Sequence, residues 1–297
     1  MQQTQGPYGL ITAFRNEAAW LEGVVRSVAM QSITPQKWVL VDDGSTDGSL
    51  EHARSLVKTL AFAEVFAMPP RGPRSFASQV YAQLAGVEQV AGLQPQFIGF
   101  LDADILLPPD YYATLLARFE QDANLGLAGG NVIDRVGDQD LDTRAGSEEH
   151  HVPGGVQLFR AACYRQTGGY LAIPGGGQDV LIETTAMMQG WTVRAFKQPL
   201  AVHLRPYGAR PNAPFRRHFL WGRKFYAIGY HPLYFLASTI RRIPESPFLL
   251  SAACKLAGFL AATVTRQPRP VSPAVMRFLR QQQMRRLRLM LTGRRPP

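Results

Sequence analysis

The chain of 297 residues is 46% hydrophobic and 18% charged, with 27 Gly and 22 Pro. This balance excludes a disordered, collagenous or fibrous protein and leaves room for one large domain or a domain with an appendage. The net charge of +10 is unevenly placed: residues 1–202 hold 14 basic and 21 acidic side chains, whereas residues 203–297 hold 18 basic ones and a single acid, Glu245.

The predicted elements alternate. Residues 8–13 (YGLITA) form a short apolar run, Asn16 follows as an N-cap, and Leu21, Val24, Val25 and Val28 fall at helical spacing. Residues 37–41 (KWVLV) read as a strand entering DDGSTDGS, where Asp47 suits a cap, and Leu50, Ala53, Leu56, Val57 and Leu60 mark the next helix face. A third strand at 63–67, a helix with Phe76, Val80, Leu84 and Val87 on one side, and a buried strand at 97–101 (FIGFL) complete three βα units. Such repetition predicts an α/β fold with a mostly parallel, Rossmann-like central sheet flanked by helices. Pro108 and Pro109 start a further helix to about Gln121, and the polar, turn-rich stretch 129–152 predicts an irregular cover over the site.

Ligands of such sheets bind at the carboxyl ends of the strands, where loops share a crevice and helix N-termini face anions. Asp42, Asp43, Ser45, Thr46 and Asp47 follow the second strand, and Asp102-Ala103-Asp104 follows the fourth. Two carboxylates at i and i+2 share a side if the chain stays extended, or divide between metal and ligand if it turns. Their hard oxygens suit Mg2+ or Mn2+ with a diphosphate. A bare Asp-x-Asp is equally found as strand-end polar residues or helix caps.

The segments ITAFRNEAAWLEGVV, WVLVDDGSTDGS, FIGFLDADILLPPD, GGVQLFRAACYRQTGGY, GQDVLIETTAMMQGW and VHLRPYG stand in this order over roughly residues 7–208. In order and spacing they resemble family 2 glycosyltransferases of the GT-A fold. The resemblance implies a nucleotide-sugar glycosyltransferase domain over residues 1–208. Ala13, Glu17, Asp42 and Asp43 would contact the base and ribose of a nucleoside-diphosphate sugar, with a UDP-sugar as first candidate. Asp102 and Ala103 would lie at the ribose, Asp104 would ligate the metal, Mn2+ or Mg2+, and His203 would complete its coordination. Asp179 matches the family's general base; many relatives have Glu-Asp where this chain has Gln178-Asp179. Taken alone, a histidine after an apolar run is as well explained as structural.

The chemistry needs these roles under any name. Displacing a nucleoside diphosphate from an anomeric carbon takes a cation on the leaving phosphates, an in-line hydroxyl and a carboxylate to accept its proton. With the base opposite the leaving group, the centre inverts. Arg71 and Arg74 either add charge near the diphosphate or are ordinary surface arginines, and Glu148, Glu149, His150 and His151 either reach the acceptor or form a solvated loop. The chain has no Gln-x-x-Arg-Trp of processive synthases, so transfer of a single sugar is expected. A nucleotidyltransferase of similar topology would carry a GxGTRL-like loop where FRNE stands.

Residues 209–297 predict a helical, basic and apolar extension of net positive charge, directed at an anionic partner. The apolar run 248–264 is interrupted by Lys255 and falls short of the ~20 residues of a membrane span, so it is expected to lie in a membrane interface. Trp221, Phe225, Tyr226, Tyr230 and Tyr234 interleave with Arg216, Arg217, Arg223 and Lys224, as at head-group level. Residues 275–291 form a basic amphipathic helix. Alternatively, these helices pack on the catalytic body or across a homodimer. A lipid-linked saccharide acceptor of cell-surface polysaccharide assembly is the expected partner. Nucleic acid is not expected, because no base-reading or stacking module is evident. The amino terminus has no basic and apolar leader pattern, and Cys163 and Cys254 have no paired spacing. A cytoplasmic location at the inner face of the membrane is therefore expected, without disulfides.

Overall fold

The structure, a computed structural model, describes residues 4–69, 75–136, 139–141, 150–173, 175–205, 214–241 and 248–292. The first half runs β1 (Thr4–Gln5), β2 (Tyr8–Phe14), α1 (Ala18–Ala29), β3 (Ile33–Thr34), β4 (Lys37–Asp42), α2 (Ser49–Val57), β5 (Ala63–Ala67), α3 (Phe76–Ala91) and β6 (Phe97–Phe100). It continues through β7 (Ile105–Leu106), α4 (Tyr111–Gln121), β8 (Leu125–Val136), β9 (Gln139–Leu141), a 3-10 turn at Gly154–Val156, β10 (Leu158–Arg160), α5 (Ala161–Thr167), α6 (Gln178–Met188) and β11 (Thr192–His203).

The main sheet has the order β5-β4-β2-β6-β10-β8-β11-β7. Its first four strands are parallel, as the βα repetition predicts. β10 then enters antiparallel to both β6 and β8, while β8 and β11 are parallel. Strands buried on both faces divide their side chains by the period of two. Leu10, Trp38 and Leu40 join one core with Leu21, Val24 and Tyr111, whereas Ile11, Val39 and Val41 join the other with Val80, Phe159 and Ile182.

The expected irregular cover over 129–152 is corrected in its first part. β8 extends to Val136 and lies inside the sheet. The polar residue that breaks the apolar pattern, Asp134, is itself buried, so polarity at this point marks the site and not the surface. Asn16 is likewise not the N-cap of α1; it adopts the left-handed region at φ 57° and Glu17 takes the cap position.

The carboxyl-terminal helices are α7 (Pro214–Ala227), α8 (Pro232–Arg241), α9 (Phe248–Val264) and α10 (Pro273–Leu291). α7 and α9 touch backbone to backbone. A β-carbon at Gly222 would lie 1.9 Å from the Lys255 carbonyl oxygen, and one at Gly258 would lie 2.0 Å from that of Phe219. Only glycine permits this crossing. Ile228 and Val275 pack with Ile173 and Leu181, which fastens the bundle to α6 and the loop before it. Among the described residues no helix is long and apolar enough to cross a membrane.

Candidate active site

The loops after β2 and β4 are knitted together. Phe14 and Asp42 are paired in register at the strand ends. The Asn16 side-chain oxygen accepts the Thr46 N–H at 2.7 Å, and the Asn16 and Glu17 N–H groups donate to the hydroxyls of Ser45 and Ser49, each at 2.9 Å. Asp42 turns back on its own loop, accepting from the N–H groups of Gly44 and Ser45. Asp47 accepts from Ser49 and Ala18, while Gly48 holds the cap position of α2. Asp43 differs from these. It is 3% exposed, Arg15 stands 3.8 Å from its Oδ2, and its Oδ1 has no hydrogen-bond partner. A buried acceptor left open suits a donor N–H of a ligand. Ala13 sits half-buried just below, at the end of β2.

The Asp102-Ala103-Asp104 segment turns, and its two carboxylates part. Asp102 accepts from Gln79 Nε2 of α3 at 3.0 Å, and its N–H donates to the Gly155 carbonyl at 2.9 Å. A β-carbon at Gly155 would stand 2.6 Å from Asp102 Oδ2 and from Ile105 Cδ1, so any larger residue here would displace the Asp102 carboxylate. Ala103 is buried in the core beneath. Asp104 faces the other way, with Oδ2 3.5 Å from His203 Nε2 and 3.4 Å from the Arg205 guanidinium. His203 Nδ1 lies 2.8 Å from Asp134 Oδ1, and Arg205 also forms a short ion pair with Glu17. The group Glu17, Arg205, Asp104, His203, Asp134 thus draws on the ends of four chain segments.

Burial alone would raise the Asp104 carboxyl, but the hydrogen bond and charge of His203, with Arg205 beside it, hold it below the usual carboxylate range. Burial would likewise lower the His203 imidazole, and the contacts with Asp104 and Asp134 outweigh this and raise it. Among the described residues no three His, Cys, Asp or Glu side chains converge as a metal site. The donor set nevertheless fits a hard divalent cation that keeps waters and substrate phosphates, because such ions take one or two protein ligands. Asp104 and His203 supply those two, and Asp134 on the far imidazole nitrogen fixes the tautomer as second partners of metal-bound histidines do.

Asp179 lies apart from this group, in the first turn of α6. Glu183 lies four residues after Asp179, one helical turn on and on the same face of α6. Glu183 is 3% exposed, accepts from the Val152 N–H at 2.9 Å and from Gln157 Nε2 at 3.4 Å, and has His151 Nδ1 at 3.0 Å. Burial pushes its carboxyl up to about 7; His151 opposes the rise and the Asp179 charge adds to it. From α7, Lys224 lays its stem against Gly175 and Gly177 in the loop before Asp179. The loss of water around its ammonium lowers its pKa, and Asp179 is the charge that opposes this.

The structure thus brings Asp104 and His203 together, sets Asp179 beside Gly154 and Asp102 beside Gly155 of the 3-10 turn, and places Ala13, Glu17, Asp42 and Asp43 at the ends of β2 and β4 and on the loops that follow them. His151 is bound to Glu183, and His150 is near the Val193 carbonyl at 3.3 Å. Arg71, Arg74, Glu148 and Glu149 lie outside the described residues. Asp134, Arg205 and Glu183 escaped sequence reasoning, and Lys224, expected at head-group level, is instead turned inward toward Asp179. Of the first three, only Arg205 carried a signal, two residues after His203 in VHLRPYG.

Residues 10–162 match the family described as Glycosyl transferase family 2. No curated protein sequence matches the chain at a significant level. Among solved structures, the mannosyltransferase PcManGT from Pyrobaculum calidifontis, in complex with GDP-Man and Mn2+, is similar with a TM-score of 0.58 at 19% identity, covering 98% of this chain and 82% of that one. TarS 1-349 from S. aureus, in complex with UDP-GlcNAc, has a TM-score of 0.56 at 13% identity over 87% and 72% of the two chains. GalNAc-T7 with UDP, GalNAc and Mn2+ has a TM-score of 0.59 at 16% identity, over 97% of this chain and 58% of that one. These likenesses show the expected GT-A fold.

Proposed function

Because the chain belongs to glycosyl transferase family 2 and is a glycosyltransferase, we propose that it transfers one sugar, with inversion, from a nucleoside-diphosphate sugar to a hydroxyl of a lipid-linked saccharide. The arrangement that carries this reading is the pairing of Asp104 with His203 and, separate from that pair, Asp179 in the first turn of α6 beside Gly154 of the 3-10 turn. It divides leaving-group stabilisation from proton removal, which is the division an in-line displacement needs.

In this reading the open Asp43 oxygen accepts an N–H of the base, and a uracil imide would satisfy it. Asp42 keeps the loop in shape, Ala13 leaves room for the ring, and Asp102 takes the ribose. Asp104 and His203 would hold Mn2+ or Mg2+, which would neutralise charge gathering on the diphosphate. Arg205 is held by Glu17 beside that position and adds a fixed positive charge. Asp179 accepts the proton of the attacking hydroxyl while the acceptor oxygen bonds to the anomeric carbon and the bond from that carbon to the diphosphate oxygen breaks. Lys224, from the carboxyl-terminal helices, steadies the acceptor side.

The basic extension, residues 209–297, supports docking of the enzyme on an anionic membrane surface where such an acceptor resides, with cell-surface polysaccharide assembly at the inner face of the cell membrane as the setting. A homodimer would be compatible with this arrangement. PcManGT holds GDP-Man and TarS holds UDP-GlcNAc in the structures above, so the base of the donor is the first thing to measure. Calorimetry with UDP, GDP, dTDP and CDP, with and without Mn2+, on the wild type and Asp104→Ala is the test. One diphosphate should bind in the presence of metal and lose about 100-fold or more in affinity in the variant. Absence of binding by all four with metal present would overturn the reading.

A further inference from the structure

The helices α8 and α9 are apolar on both sides. Their inner faces are used: Phe235 and Phe259 stack with ring centroids 4.4 Å apart, and Tyr226 and Ala262 complete that cluster. Their outer faces are not. On α8, Leu233, Leu236 and Ile240 recur at helical spacing and are 56%, 42% and 54% exposed. On α9, Leu249, Leu260 and Val264 are 69%, 61% and 81% exposed, and Ala253 and Ala257, also exposed, lie between them on one stripe. A helix apolar all round belongs in a core or in lipid, and large contiguous apolar patches mark interaction surfaces.

The charge around this face selects its partner. Arg241 ends α8 and Arg266 follows α9, both exposed. The described residues from 214 to 292 include no Asp or Glu. A second copy joined through this same face by a two-fold axis would bring the same arginines against these, with no acid among the described residues of α7 to α10 to meet them. An anionic lipid leaflet satisfies both the apolar stripe and the arginine border. At 17 residues, α9 is about 26 Å long, and α7 already covers its inner side, so it fits a bilayer lying flat and not across. One side of α10 faces the bundle, with Val275 and Leu279 buried, Gln283 accepting from the His231 N–H at 2.8 Å and Arg280 donating to the Gly229 carbonyl at 2.9 Å.

We propose that the outer face of α8 and α9 is a monotopic membrane-binding surface, with Leu233, Leu236, Ile240, Leu249, Leu260 and Val264 among the acyl chains and Arg241 and Arg266 at the phosphates. The purpose of this surface rests on the lipid-linked acceptor of the reading above. α7 joins the two: it crosses α9 at Gly222 and Gly258 and carries Lys224 to the loop before Asp179, so a leaflet under α9 brings its acceptor to the base side of the site.

The test is flotation of the full chain with vesicles of phosphatidylcholine alone and of phosphatidylcholine with an equal part of phosphatidylglycerol, at about 0.15 M salt. The wild type should float with the anionic vesicles and not with the neutral ones. Leu260→Glu with Val264→Glu should weaken this at least about 10-fold, while the melting temperature and nucleotide binding by calorimetry stay as in the wild type. Arg241→Gln with Arg266→Gln should weaken it less and leave a shallower salt dependence. Wild type that ignores anionic vesicles, or a Leu260 and Val264 variant that floats unchanged, overturns the proposal. Loss of a dimer in light scattering with no change in flotation would assign the face to self-association instead. Nucleotide binding is read separately, so failure on vesicles and failure of the glycosyltransferase site are distinguishable.

Discussion

Asp134 of β8 holds His203 of β11 from behind: its Oδ1 lies 2.8 Å from Nδ1, while Nε2 points to Asp104 at 3.5 Å. The two strands are parallel and in register at this pair. A buried carboxylate on Nδ1 fixes which nitrogen is left for a cation. Asp134→Asn should therefore reduce divalent-cation affinity about 10- to 100-fold, and binding of the nucleoside diphosphate without metal should be unchanged. A Mn2+ titration followed by paramagnetic resonance reads the first, calorimetry the second. Equal affinity in variant and wild type would show that His203 is not a ligand.

Glu183 gives the protein a pH-dependent stability with a defined sign. Its carboxyl is raised from the ordinary 4.5 to about 7, so the folded state binds the proton more tightly than the unfolded one. The contribution is fully present below pH 4.5, is lost progressively as pH rises, and is gone above about 7. The loss amounts to at most about 3 kcal/mol. Glu183→Gln keeps an acceptor for the Val152 N–H and removes the charge. Its melting temperature relative to wild type should rise between pH 5 and pH 8; a constant difference across that range would contradict the assignment.

Lys224 tests whether the carboxyl-terminal helices belong to the site. Lys224→Met preserves the stem that packs on Gly175 and Gly177 and removes the ammonium opposite Asp179. Sugar transfer should fall about 10-fold or more, nucleotide affinity should be unaltered, and the melting temperature should hold or increase because a poorly hydrated charge is gone. Unchanged transfer would confine α7 to a structural role.

Gly258 is one of the two close backbone contacts between α7 and α9. Gly258→Ala puts a methyl 2.0 Å from the Phe219 carbonyl oxygen, and the two helices must part to admit it. A destabilisation of about 3 kcal/mol is expected, seen as a lower melting temperature together with weaker vesicle binding. A neutral substitution would mean that α7 and α9 are free to separate without cost.

Much of the site was legible in the sequence because local rules govern it. The runs YGLITAF, KWVLVD and FIGF had to be buried strands, and polar loops after such strands had to share one crevice. Asp43, Asp102 and Asp104 stood out for that reason, as did Asp179 once the order of segments was compared with a family. The same rules misread Asn16, whose side chain is engaged by Thr46, and part of 129–152, where a buried aspartate imitates a surface one.

The sequence by itself determined the α/β class, the acids available for chemistry and the imbalance between an acidic body and a basic extension, because these depend on composition and on periods of two and 3.6 residues. Only the tertiary structure decided that Asp134 stands behind His203, that Glu17 is joined to Arg205, that Glu183 lies one turn on from Asp179 beside His151, and that α8 and α9 keep exposed apolar residues as well as buried ones. Those pairings link residues up to 188 positions apart. They are set by which strand lies next to which in the sheet and by a glycine crossing of two helices, and neither leaves a local pattern in the chain.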